Sequence, residues 1–297
     1  MRGSTIAAVV VLGSLGVGYE ASVRGLIDQW SRDPNYSHGF FVAPIALAIA
    51  WSRRGLVEPA RCRPSGWGVL LLAGLVALRV PLFDRNEQYL ESATIPLAVA
   101  AVTLALGGTH LLRVMFPAVA FLVFLLPLPP SVNTLLARPL QNVATAGSVT
   151  LLQLLGLPAM AEGNVIVVGD VPLEVARACN GLSMLLSFVT LITATVLLIH
   201  RPLAEKVLLL LSAVPIAIVS NVVRITLTAL AYRWLGPETG ERYAHDYAGW
   251  AMMPLALGLV WAELALFSRL FVEVREVDPA ALIRARTGTG TGKAAVG

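Results

Sequence analysis

Charge is scarce in this chain: Asp, Glu, Lys and Arg together supply 13% of its 297 residues. That is about half the share in an ordinary soluble domain. Cysteine is scarcer still, with Cys62 and Cys179 alone, so no disulfide framework holds the fold. No metal motif of the H-E-x-x-H kind occurs, and neither a metal nor a cofactor is expected. No acidic pair lies at a depth that would suit an aspartyl intramembrane protease. The 25 Gly and 18 Pro show no collagen-like period; they fall inside apolar runs, as transmembrane helices tolerate. What fills the chain is apolar: 57% of its residues, with a mean hydropathy of +0.75. These values exclude a soluble single-core protein.

A spanning helix needs roughly 20 mostly apolar residues. On that basis the chain is an all-α polytopic membrane protein with about eight transmembrane helices. The candidate spans are about 5–23, 39–52, 67–82, 92–107, 112–128, 180–199, 206–232 and 248–268. Arg2 precedes the first apolar stretch as in a signal peptide, but no small-x-small cleavage site closes it, so an uncleaved span is expected. Residues 1–270 form one membrane domain, and 271–297, ending in RTGTGTGKAAVG, a disordered cytoplasmic tail.

Basic residues give the orientation. Loop 53–66 carries Arg53, Arg54, Arg61 and Arg63. Counting alternate sides groups that loop with Arg2, Arg113, Arg201, Lys206 and the C-terminal Arg269, Arg275, Arg284, Arg286 and Lys293, 13 of the 22 basic residues. Both termini are therefore expected in the cytoplasm of a multi-pass plasma-membrane protein. The formal charge of +4 and the pI near 9.4 then reflect topology, not a nucleic-acid surface.

Three segments fall on the outer side. The first reads IDQWSRDPNYSHG, residues 27–39. The second runs from Pro129 to Ala178. Its first half, 132–156, is a polar-flecked helix expected to lie at the interface or to re-enter. Its second half, with NVIVV, Gly169-Asp170 and VPLEV, reads as a small hairpin whose second strand Pro172 confines to an edge. The third is LGPETGERYAHDY, residues 235–247.

Each outer segment adjoins a residue able to do chemistry. Cys179 sits at the mouth of the sixth span, where a helix N-terminus lowers a thiol's pKa. Asn180 and Gly181 beside it supply a polar side chain and open backbone for close approach by a substrate. Ser183, Ser187 and Thr190 continue that face inward, a small polar stripe suited to packing against another helix. Arg224 follows seventeen uncharged residues from Val207. A charge within a span is expensive and marks a functional site by default. Ser220, Asn221 and Thr228 share its face, favouring a polar interior site over snorkelling to the surface. His245, with Asp246 next to it, precedes the eighth span on the same side, and His38 is a second outer imidazole. His110, His200 and Cys62 fall on the cytoplasmic side. A thiol, a guanidinium and an imidazole from three spans thus meet one compartment. They suit nucleophilic attack, oxyanion stabilisation and proton transfer.

At these segments the chain resembles the exosortase/archaeosortase family. The resemblance rests on Ala178-Cys179-Asn180-Gly181, on Asn221-Val222-Val223-Arg224-Ile225, and on His245-Asp246-Tyr247-Ala248-Gly249-Trp250. Tyr36-Ser37-His38-Gly39, with Pro44 and Trp51 after it, is similar to the bacterial branch. A His at 245, where archaeosortases tend to carry a second Arg, favours that branch too. The resemblance implies a membrane cysteine protease or transpeptidase with Cys179, Arg224 and His245 as catalytic residues. Its substrates would be exported proteins bearing a short C-terminal motif of the Pro-Glu-Pro type, a transmembrane helix and a basic cluster. Cleavage on the outer side would leave an acyl-enzyme on Cys179, passed to water or to an acceptor amine of unknown identity. Two other classes compete. A permease could bind an anionic solute at Arg224, and a membrane acyltransferase could use His245. Thiol alkylation separates them, because only the first reading requires Cys179.

Overall fold

The computed structural model describes residues 16, 18–84, 88–163, 165–169, 171–174, 181–199, 201–236 and 248–270. It is mostly helical. In chain order the helices are α1 (Glu20–Arg32), α2 (Gly39–Ser52), α3 (Gly66–Asp84), α4 (Gln88–Phe121), α5 (Pro130–Leu154), α6 (Gly181–Leu198), α7 (Leu203–Leu235) and α8 (Ala248–Leu270). Each expected span from the second to the eighth falls on a helix. Most of the first, 5–23, lies outside the described residues.

Among the described residues three segments are long and apolar enough to cross a membrane: Tyr89–Leu125, Gly181–Leu198 and Leu203–Leu235. Gly39–Ser52 and Gly66–Pro81 are shorter apolar helices. The expected span 92–107 and the first part of 112–128 fall on the two limbs of α4, which breaks at Gly108 with φ of 67°; residues 122–125 continue as a 3-10 turn. A Cβ there would collide with the Arg63 carbonyl, so only glycine allows the loop ahead of α3 to press so close. Large apolar side chains such as Leu47, Trp67, Leu70 and Leu211 are exposed. Water would not tolerate that surface, but hydrocarbon does. Trp51 lies at the end of α2 with the Arg54 guanidinium 3.5 Å over its ring, a pair suited to a membrane interface.

Polar ties join the first helices. Arg79 of α3 pairs with Glu91 of α4, and both are nearly buried. The Arg79 guanidinium also donates to the Gly18 carbonyl (2.7 Å) and to Ser22 Oγ (3.0 Å) and lies 3.8 Å over the Tyr19 ring. Ser22 Oγ donates to Glu91 (2.9 Å), and the Tyr19 and Thr94 hydroxyls share a 2.9 Å bond.

Between α5 and α6 the chain forms a sheet of three antiparallel strands, β1 (Ala159–Glu162), β2 (Val165–Val168) and β3 (Val171–Glu174), in that order. The expected hairpin is β2–β3, with Val168 opposite Val171 and Val165 opposite Glu174. Strand β1 was not legible, because Ala-Met-Ala-Glu has little strand propensity. Gly163, at φ of 62°, turns it back onto β2. Ala159, Ile166 and Val168 pack into one core with Ala144 and Leu152 of α5 and with Ile225 and Ala229 of α7. Helix α5 lies along α7: Ser148 Oγ donates to the Val222 carbonyl (3.3 Å), and Gly147 leaves room for the Val222 side chain. Its buried stripe is Ala144, Thr145, Ser148 and Leu152.

The chain divides into two compact units, residues 1–259 and 260–297. Of the second, the described part is the C-terminal half of α8.

Candidate active site

Helix α7 carries Asn221 and Arg224 one turn apart. Its buried face runs through Leu209, Ala213, Ala217, Ser220, Asn221, Ile225 and Thr228, whereas Leu210, Leu211, Val214 and Val219 are exposed. Asn221 is 1% exposed and packs against the first residue of α6. A Cβ on Gly181 would stand 3.0 Å from Asn221 Nδ2 and 3.4 Å from Leu140 Cβ, so any larger residue would push α5, α6 and α7 apart. Arg224 is half-buried, and its Nε has no hydrogen-bond partner among the described residues. Ser220 and Thr228, buried on the same face, also keep hydroxyls without partners there. Helical side chains lean toward the N-terminus, so the guanidinium reaches back toward the level of Asn221 and Gly181.

Helix α8 joins this group through its first half: Leu255 packs against Met184 and Phe188 of α6 and Ala217 of α7. The three helices that follow or bear the expected catalytic residues therefore share one core. Gly181 and Asn221 are brought together, and Arg224 lies one turn along α7 from Asn221. Cys179 and Asn180, two and one residues ahead of α6, lie outside the described residues, as do His245 and Asp246, three and two residues ahead of α8. Ser183 and Ser187 are half-buried along α6 and Thr190 is buried, so the polar stripe faces protein.

His38 belongs to a neighbouring group. It is the N-cap of α2 and 6% exposed. Burial holds its pKa below the usual imidazole value, partly offset by the backbone of Asn35 and Phe124. Around it, Trp30 Nε1 donates to the Leu125 carbonyl (3.2 Å). Tyr36 Oη accepts from Leu128 N–H (3.3 Å) and Asn133 Nδ2 (3.4 Å). The 3-10 turn Pro34–Tyr36 before His38 packs on α6. His110, by contrast, accepts from the Glu58 N–H (3.2 Å).

The sequence reading missed the contribution of α5. Thr145 and Ser148 are buried beside α7, and Leu140 touches the start of α6. The small residues at 144, 145 and 148 were the available signal, masked by Arg138, Gln141 and Asn142 nearby. Among the described residues no group of three His, Cys, Asp or Glu could hold a metal ion.

Residues 30–262, well over half of the chain, match the family model described as transmembrane exosortase. No curated protein and no solved structure matches the chain.

Proposed function

The chain belongs to the transmembrane exosortase family, and from that premise we propose that it is a membrane-embedded cysteine protease and transpeptidase acting on C-terminal sorting signals of exported proteins. The observation that carries this reading is the approach of Asn221 to Gly181. Arg224 is one turn beyond Asn221 on α7, and Cys179 is two residues before Gly181 in sequence, which supports a shared site. The Ser220 and Thr228 hydroxyls and Arg224 Nε, without partners among the described residues, suit a site that receives peptide carbonyl oxygens.

Each step can be assigned. The Cys179 thiolate, favoured by the positive end of the α6 dipole, attacks the scissile carbonyl carbon and forms a C–S bond. Arg224 stabilises the oxyanion with its planar pair of N–H donors. Collapse of the intermediate breaks the C–N bond, and imidazolium His245 gives its proton to the departing amine. The thioester is then attacked by water or by an acceptor amine, which restores the thiol. Asn180, Gly181, Asn221, Asp246 and His38 bind and orient the peptide. The plasma membrane is the proposed location, with this chemistry on its extracytoplasmic face.

Cys179→Ser tests the nucleophile. A hydroxyl stays protonated near neutral pH, so cleavage of a signal-bearing protein should fall by orders of magnitude. Mass spectrometry of the trapped enzyme–substrate adduct should place the acyl group on Cys179. An adduct on another residue, or full activity in the serine variant, would overturn the mechanism.

A further inference from the structure

The three-stranded sheet has two edges, and they differ. Two-residue turns join β1 to β2 and β2 to β3, which fixes the phase of the ladder. Val168 and Val171 close the second turn and exchange both hydrogen bonds, as do Ile166 and Leu173. Val165 and Val167 bond in the other direction, to Glu162 and Met160. On β1 the outward residues are therefore Ala159 and Ala161. At that edge Gln153 of α5 donates to the Ala159 carbonyl (2.9 Å), one of the outward groups. On β3 the outward residues are Pro172 and Glu174. Among the described residues no strand pairs with this edge. Pro172 has no N–H to lose there, which explains why a proline is tolerated in the strand. The groups offered outward are the Pro172 carbonyl and both the N–H and the carbonyl of Glu174.

Strand β3 ends at Glu174, five residues before Cys179. Its backbone lies close to α7, the helix of Arg224, and the core of β1 and β2 reaches Ile225, the residue after that arginine. We propose that the outer edge of β3 is the docking strand for the substrate: an extended polypeptide segment adds to the sheet there and is led to the nucleophile. The occupant follows from chemistry. A protease must hold several residues beside its scissile bond in extended form, and main-chain pairing does so whatever the side chains are. This inference rests on Cys179 being the nucleophile.

Backbone variants separate docking from folding. Glu174→Pro deletes the outward N–H and leaves every bond to β2 in place, whereas Glu174→Ala keeps the donor. The full-length enzyme in detergent is given a reporter that carries a C-terminal motif, a transmembrane helix and a basic cluster and that the unaltered enzyme cleaves. The proline variant should lose roughly three- to tenfold in kcat/KM, the worth of one hydrogen bond, and the alanine variant less than about twofold. Equal effects of the two would overturn the docking strand.

A second measurement needs no catalysis. In an enzyme carrying Cys62→Ala, Cys179→Ala and Glu174→Cys, single cysteines are placed along the reporter ahead of its helix. Disulfide cross-links should form at alternate reporter positions, the period of a paired strand. Absence of cross-links, or a helical period, would overturn the proposal. Because this enzyme lacks the thiol, the result is independent of the nucleophile. Cleavage persisting in Cys179→Ala alone would instead sink the assignment of Cys179 as the nucleophile.

Discussion

Among the described residues, small polar side chains surround Arg224 on its helix, and its Nε has no hydrogen-bond partner there. The helical face around it offers Ser220, Asn221 and Thr228, and Gly181 lets α6 come close enough to touch Asn221. A guanidinium in such a site keeps N–H donors free for a substrate oxygen, in a fork whose geometry an ammonium cannot copy. Arg224→Lys should therefore fail nearly as badly as Arg224→Ala when cleavage of a sorting-signal protein is followed in cells. Near-normal processing by the lysine variant would mean that only the charge matters. Gly181 has the complementary role: its missing side chain sets the distance between two helices.

Elements meet through polar ties where the membrane offers no hydrophobic drive. The α1, α3 and α4 group depends on the Arg79–Glu91 pair, with Ser22, Tyr19 and the Gly18 carbonyl closing around it. Removing one partner of a nearly buried pair strands the other charge, so Arg79→Ala should destabilise the protein by about 3–5 kcal/mol. Replacing both, as Arg79→Met with Glu91→Leu, should recover most of that loss. Thermal unfolding in detergent measures both variants; equal loss in the single and the double variant would show that the pair, not the stranded carboxylate, supplies the stability. Helix α5 illustrates the same scale. Its polar residues read as an interfacial helix, yet Ala144, Thr145, Ser148 and Leu152 give it a face that packs on α7.

Across the whole molecule, lengths fix where the site sits. Lys206 and Arg224 are eighteen residues apart on α7, or about 27 Å, close to the roughly 30 Å hydrocarbon thickness. With Lys206 taken at the inner border, Arg224 sits toward the far side of the layer, inside the expected span 206–232. The rest of α7 runs on beyond it, and there the sheet packs on Ile225 and Ala229. A sheet edge cannot face lipid, so this arrangement requires water or protein at the level of Arg224. The basic-loop count leads to the expectation that the end of α7 beyond Arg224 is the outer one. Cys179 in a Cys62→Ala background should react with a membrane-impermeant maleimide in intact cells. Labelling only after permeabilisation would invert the topology and remove the mechanism.

Composition and apolar run length by themselves determined that this is a helical, polytopic membrane chain, because burial in hydrocarbon needs nothing but apolar side chains in sufficient number. The seventeen uncharged residues before Arg224, and the motif blocks around Cys179, Arg224 and His245, singled out the segments of the site. Distances between segments were another matter. That Gly181 touches Asn221, that α5 supplies a wall, and that Ala-Met-Ala-Glu becomes a third strand depend on neighbours remote in sequence. Such contacts arise from packing and from pairing with a ready edge, and local residue preferences carry no record of either. The break of α4 at Gly108 is the intermediate case: the glycine is visible in the sequence, but only the Arg63 carbonyl pressed against it gives the reason.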